Sequence, residues 1–227
     1  ACFPLWNERG VNSYGLFREG LELDHNITDA RTNRVRVQAR QTYVFAEALR
    51  LGWRPDTSRD RVERGLGILT GLARRDDGLV GRTLQPDGSG LLDDTPDLYD
   101  IAFTLFAIAE SADALGGTGE TRASAGALLD AVDRQMRDRL NGGYAEALPR
   151  PGLREQNPHM HLLEACLSLH KVDPDGDHLA RAAELIALFE TRFTAGPGGL
   201  LGERFAPDWS TPEGRDGDIV EPGHQFE

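Results

Sequence analysis

Apolar residues recur at three- and four-residue intervals in six stretches, roughly 33–51, 60–74, 97–114, 121–139, 157–171 and 177–193. That period predicts a helix in each. The stretches alternate in character. The run opening Asp97-Leu98-Tyr99-Asp100-Ile101-Ala102-Phe103-Thr104-Leu105-Phe106 is apolar nearly all round, and so is 160–169. Helices of that kind are buried. Stretches 60–74 and 121–139 instead set Arg, Asp and Glu against a face of Leu, Ile or Val, the pattern of a half-exposed outer helix. Glycine-marked segments separate the helix pairs: Asp77-Gly78-Leu79-Val80-Gly81, Gly142-Gly143-Tyr144-Ala145-Glu146 and Gly198-Gly199-Leu200-Leu201-Gly202-Glu203. They read as short strands or hairpins.

The buried helices are expected to begin near Arg34, Asp97, Asn157 and Glu221, at intervals of 63, 60 and 64 residues. A fixed period of this size marks a repeated supersecondary unit. Here the unit is an inner helix, an outer helix and a glycine turn with short strands. Buried helices ringed by amphipathic ones imply an all-α fold that curves or closes into a toroid. Polar groups gather where the inner helices start: Arg34, Arg36 and Arg40, then Asp97, Tyr99 and Asp100, then His159, His161 and Glu164, then His224 and Glu227. Inner helices running side by side would bring them to one mouth, where free helix N–H groups add partial positive charge. Such a mouth suits a polar, hydroxylated ligand.

Composition narrows the functional classes. The 227 residues are expected to form one domain, 1–227, and carry a net charge of −12. That charge disfavours nucleic acid and anionic membranes as partners. No apolar run approaches the length of a membrane span. The two cysteines, Cys2 and Cys166, form no disulfide framework, which points to a reducing, cytoplasmic setting. The opening Ala1-Cys2-Phe3 lacks an initiator Met, so the natural start is expected upstream or processed. No dinucleotide fingerprint or phosphate loop occurs, and no cofactor is expected.

The most chemical pattern is a pair of His-x-x-Glu sequences, His161-Leu162-Leu163-Glu164 and His224-Gln225-Phe226-Glu227. Positions three apart share a helix face, so each copy sets an imidazole beside a carboxylate.

Four runs carry a resemblance. They are Gln38-Ala39-Arg40-Gln41-Thr42-Tyr43-Val44-Phe45, Asp97-Leu98-Tyr99-Asp100-Ile101-Ala102-Phe103, Asn157-Pro158-His159-Met160-His161-Leu162-Leu163-Glu164 and Glu221-Pro222-Gly223-His224-Gln225-Phe226-Glu227. In this order they resemble the N-acylglucosamine 2-epimerase superfamily, which includes mannose isomerases, sulfoquinovose isomerases and cellobiose 2-epimerases. The resemblance implies an (α/α)6 toroid, or barrel, with a central sugar pocket and short β-hairpins between helix pairs. It implies that Arg40, Tyr43 and Tyr99 line the pocket, with Asp100 and Glu164 beside them. His161 would act in ring opening or substrate binding, and His224 as an acid/base with Glu227 as its carboxylate companion. Six helix pairs of about sixty residues need about 360 residues. The chain is therefore expected to be the N-terminal part of such a barrel, without the second acid/base histidine, and inactive alone unless another chain completes it.

The implied reaction removes a proton next to a sugar carbonyl. Histidine titrates near neutral pH, and a carboxylate neighbour stabilises its charged form. A fixed guanidinium such as Arg40 can stabilise the resulting enediolate. Return of the proton to C1 gives aldose–ketose isomerisation, expected here on a mannose-type sugar. Return to C2 from the opposite face gives a 2-epimerase of the N-acylglucosamine or cellobiose type. The partner expected is a monosaccharide or small saccharide, with a homodimer left open. Alternatives stand beside each residue. His161 and Glu164 form a structural helix pair or part of a metal site. Arg40 pairs with Glu47 or Asp100, and Tyr43 and Tyr99 are core aromatics. His159, two residues from His161, caps or packs. At the level of the whole chain, the rivals are an (α/α)6 glycoside hydrolase using carboxylates among Asp97, Asp100 and Glu164, and a non-catalytic carbohydrate-binding protein.

Overall fold

A computed structural model describes residues 2–28, 31–117, 119–195 and 197–226. In chain order it contains α1 (Cys2–Arg9), β1 (Asn33–Arg34), α2 (Val35–Arg50), α3 (Pro55–Gly67), β2 (Thr83–Leu84), β3 (Leu91–Asp93), α4 (Leu98–Leu115), α5 (Gly119–Gln135), β4 (Arg154–Glu155), α6 (Asn157–Val172), α7 (His178–Arg192) and β5 (Arg204–Phe205). The inner helices α2, α4 and α6 lie side by side, with α4 in the middle. Helices α3, α5 and α7 pack outside them. No described helix is long and apolar enough to cross a membrane.

The middle position of α4 follows from its composition. Leu98, Ile101, Leu105 and Ile108 are all buried, against α5 residues Leu128 and Val132 and α6 residues Leu162 and Cys166 in one cluster. Burying each such side chain is worth roughly 1.5–3 kcal/mol. Asp97 caps the helix by accepting from the Tyr99 N–H, and Gly116, at φ +87°, ends it in the left-handed conformation that favours glycine.

The boundaries depart from the periodicity in places. Helix α3 begins at Pro55, not near 60, because proline is preset for a first helical position. Its last turn widens at Ile68–Leu72, where the Ala73 N–H reaches the Ile68 carbonyl. Helix α5 stops at Gln135 because the Asp138 carboxylate takes the N–H groups of Leu140 and Asn141 and turns the chain. Helix α1 was not expected. It is short, and its Phe3 ring rests on Trp53. Residues 222–226, where a fourth inner helix was expected to start, form turns, with the Phe226 N–H on the Gly223 carbonyl.

The first two glycine segments are tight turns closed by single bridges, Arg74 with Val80 and Arg137 with Tyr144. The paired strands lie just before the inner helices instead. β1, β2 and β3 form one antiparallel sheet, and β4 pairs with β5, Arg154 opposite Phe205 and Glu155 opposite Arg204.

The repeat is visible in the hydrogen bonds. The N–H groups of Arg18, Gly81, Ala145 and Gly202 reach back to the carbonyls of Gly10, Ala73, Met136 and Phe193. The residues that follow are Glu19, Arg82, Glu146 and Glu203, so these four occupy one position of the repeat. The carbonyls of the last three each receive an N–H from the start of an inner helix: Val35, Leu98 and Gln156.

Candidate functional site

The first turns of the three inner helices meet at a cleft of about 660 Å³, lined by Arg36, Arg82, Tyr99, Asn157, Pro158 and Arg204 among others. Of the polar groups expected at such a mouth, Arg36, Asp97 and Tyr99 line it.

Beside the cleft, four expected residues form a continuous chain across α2, α4 and α6. Arg40 Nη2 donates to the Tyr99 hydroxyl at 2.9 Å. The Tyr99 ring meets the His161 ring edge-on, centroids 5.0 Å apart. His161 Nδ1 then lies 2.7 Å from Glu164 Oε2. An ionised carboxylate only accepts, so Nδ1 is the nitrogen that donates to it. Glu164 is half exposed while His161 is buried. Phe103, which sequence reasoning did not single out, sits between them: the Arg40 guanidinium lies 4.2 Å from its centroid and the His161 ring 4.6 Å. Its position five residues after Leu98 in an apolar helix carried no signal beyond packing.

Tyr43 lies one turn along α2 from Arg40 and packs edge-on against Phe106. Burial, followed by the nearby charges of Glu47 and Glu110, pushes its phenol up. Arg40 does not take the ion-pair alternatives. Glu47 pairs with Arg50, and Asp100 pairs with Arg36.

Asp100 requires a correction. Expected at the sugar, its side chain is fully buried, and it accepts from Arg36 Nε at 3.0 Å, Nη2 at 2.9 Å and the backbone N–H at 2.9 Å. Burial pushes its carboxyl up to about 6, against the pull of Arg36. It fixes the first turn of α2 against α4. The same Arg36 guanidinium lies 4.8 Å from the Tyr99 centroid, so Asp100 orients the site from behind.

His159 is a packing residue, as its offset from His161 suggested. Nδ1 donates to the Glu155 carbonyl and Nε2 accepts the Tyr144 N–H, and complete burial pushes the imidazole down to about 3.

His224 faces a carboxylate that the sequence did not single out. Glu227 lies outside the described residues. The observed partner is Glu203, whose Oε2 and Oε1 lie 2.9 and 3.0 Å from His224 Nδ1. Gln156, directly before α6, donates from Nε2 to Glu203 Oε2 at 3.0 Å. His161 is five residues further along the chain, so about 7.5 Å of helical rise separates the two levels. Glu203 and Gln156 were missed. The available signal was register: Glu19 and Glu146 occupy the same repeat position as Glu203.

Three inner helices flanked by three outer ones, with the His161–Glu164 pair on α6, define a helical arc of the toroid class. The sequence pattern described as N-acylglucosamine 2-epimerase (GlcNAc 2-epimerase) matches residues 15–227, and the chain belongs to that family. It is 38% identical over 234 residues to a protein named mannose-6-phosphate isomerase from Rhizobium meliloti (strain 1021), covering 100% of this chain and 59% of the relative. The fold is similar to cellobiose 2-epimerase from Spirochaeta thermophila DSM 6192, with a TM-score of 0.80 at 24% identity over 91% of this chain and 54% of that one. It is also similar to a D-mannose isomerase, with a TM-score of 0.82 at 19% identity over 92% of this chain and 54% of that one. These likenesses show the (α/α)6 toroid. The chain spans little more than half the length of these relatives.

Proposed function

We propose that this chain supplies much of the site of a sugar isomerase that removes the proton next to a substrate carbonyl and passes through an enediolate. Its most fitting reaction is aldose–ketose isomerisation of a mannose-type sugar. The observation that carries the reading is the chain Arg40–Tyr99–His161–Glu164 across three inner helices. It joins a fixed cation, a phenol and a basic imidazole nitrogen at one mouth. In this reading His161 handles the ring oxygen or hydroxyls, Arg40 and Tyr99 hold the developing enediolate oxygen, and His224 moves the proton. Fixed charge of this kind is commonly worth about 3–4 kcal/mol of barrier. The relative named mannose-6-phosphate isomerase favours this outcome over epimerisation.

A 2-epimerase is the second reading, favoured by the family description and by the fold shared with a cellobiose 2-epimerase. The hydrolase reading is weakened by the carboxylates it would enlist. Asp97 caps α4 and pairs with Arg82, and Asp100 is buried on Arg36, so neither is free to act as a second acid beside Glu164.

Incubation of the full-length protein in heavy water with mannose, mannose 6-phosphate, fructose, glucose, N-acetylmannosamine and cellobiose, followed by NMR, tests the proposal. Ketose formation with deuterium at C1 supports isomerisation. Inversion with deuterium at C2 supports epimerisation instead. No exchange with any of them, together with cleavage of a glycoside, would overturn both.

A further inference from the structure

We infer that Phe103 is a positioning residue for Arg40, the face of its ring holding the guanidinium at the site without neutralising it. This rests on the proposed role of Arg40 at the enediolate oxygen.

A cation that stabilises an anion formed during a reaction meets two conditions. It is fixed beforehand, and its charge is not already answered by a counter-ion. Two arginines of α2, one turn apart, show the two ways of fixing a guanidinium. Arg36 is held by the Asp100 carboxylate, through Nε at 3.0 Å and Nη2 at 2.9 Å. That side chain is fixed, but its charge is matched. Arg40 has no carboxylate partner among the described residues, since Glu47 pairs with Arg50 and Glu164 with His161. Its hydrogen bond goes to the neutral Tyr99 hydroxyl. Its other support is aromatic. The guanidinium carbon lies over the Phe103 ring, 4.2 Å from the centroid, and 5.8 Å from that of Tyr99. A ring face attracts a cation through its quadrupole and carries no net charge.

The platform is itself fixed. Phe103 follows Tyr99 by one turn of α4, so the two rings share a helix face, with centroids 5.0 Å apart. The His161 ring of α6 lies 4.6 Å from Phe103 and 5.0 Å from Tyr99. Phe103 also packs against the buried cluster that contains Leu16, Val35, Ala39 and Leu69. Arg40 is exposed, and an exposed arginine ordinarily samples many rotamers. Here the packed core, acting through one ring, sets where that guanidinium lies.

The test replaces Phe103 in the full-length protein by phenylalanines carrying one, two and three ring fluorines. Fluorine draws electron density from the ring face and weakens its hold on a cation, while the shape of the ring is nearly kept. The expected result is a stepwise fall in kcat, roughly five- to tenfold across the series, with KM moving less than about threefold. A flat kcat across the series is what a packing role alone gives, and it overturns the proposal. The same series in Arg40→Gln is expected to be flat. A slope that persists there runs through His161 and overturns the proposal as well. ¹⁵N relaxation of Arg40 Nε reads the contact without any sugar. A rigid Nε in the wild type that loosens with each fluorine is expected, and an Nε as mobile in the wild type as in the trifluoro protein overturns the proposal. Should no sugar react while the relaxation series holds, the support of Arg40 by Phe103 stands and the isomerase reading falls.

Discussion

Arg40 and Tyr99, 59 residues apart on neighbouring inner helices, share a hydrogen bond of 2.9 Å, and the same phenol ring carries the edge of His161. The pair places a permanent cation and a hydroxyl on one side of an imidazole. Tyr99→Phe keeps the ring contacts and removes only the hydroxyl. A hydrogen bond to a charged group is worth about 1.5–3 kcal/mol. The expected result is a loss of about tenfold or more in kcat/KM with an unchanged melting temperature, read by sugar kinetics and thermal unfolding.

Asp100 is the buried anchor of Arg36. Asp100→Asn leaves the guanidinium facing an amide. Breaking a buried pair costs about 3–5 kcal/mol, and the 25% exposure of the Arg36 side chain argues for the low end. A urea titration should show roughly 3 kcal/mol lost. A change below about 0.5 kcal/mol would mean the pair does not hold α2 to α4.

Helices α2 and α3 touch at Gly65. A Cβ there would lie 2.0 Å from Thr42 Oγ1 and 2.8 Å from its Cβ, and that hydroxyl is bonded to the Gln38 carbonyl. Gly65→Ala should destabilise by about 1–3 kcal/mol, the cost of overpacking. Gly67→Ala, two residues on, meets open space and should stabilise by roughly 0.5–1 kcal/mol. Opposite signs in denaturant melts check the helix contact.

His159 predicts a pH dependence. Its folded value of about 3 lies below the ordinary 6.5 because of burial. Between those values the unfolded chain binds a proton that the folded chain refuses, so its contribution is complete above about 6.5 and falls as pH drops towards 3. The slope is at most about 1.4 kcal/mol per pH unit. His159→Gln should cost stability at pH 7 and flatten the fall between pH 6.5 and 4 in calorimetry. Parallel wild-type and variant curves would sink the idea.

Several features of the chain were legible as a line of residues because they are local. The apolar period distinguishes the all-round buried α4 from the two-faced α3, and the sixty-residue interval sets inner and outer helices in order. His161 and Glu164 meet because three residues of helix bring any such pair to one face. Arg36 with Asp100, 64 residues apart, and His224 with Glu203, 21 apart, were not legible. Each depends on how one helix or turn is set against the next, a register decided by packing and backbone hydrogen bonds between repeats. By itself the sequence determined the repeat, the family and the identity of the chemical groups. Only the tertiary structure decided which partner each buried charge takes, because a buried charge takes the partner that packing brings within hydrogen-bond reach.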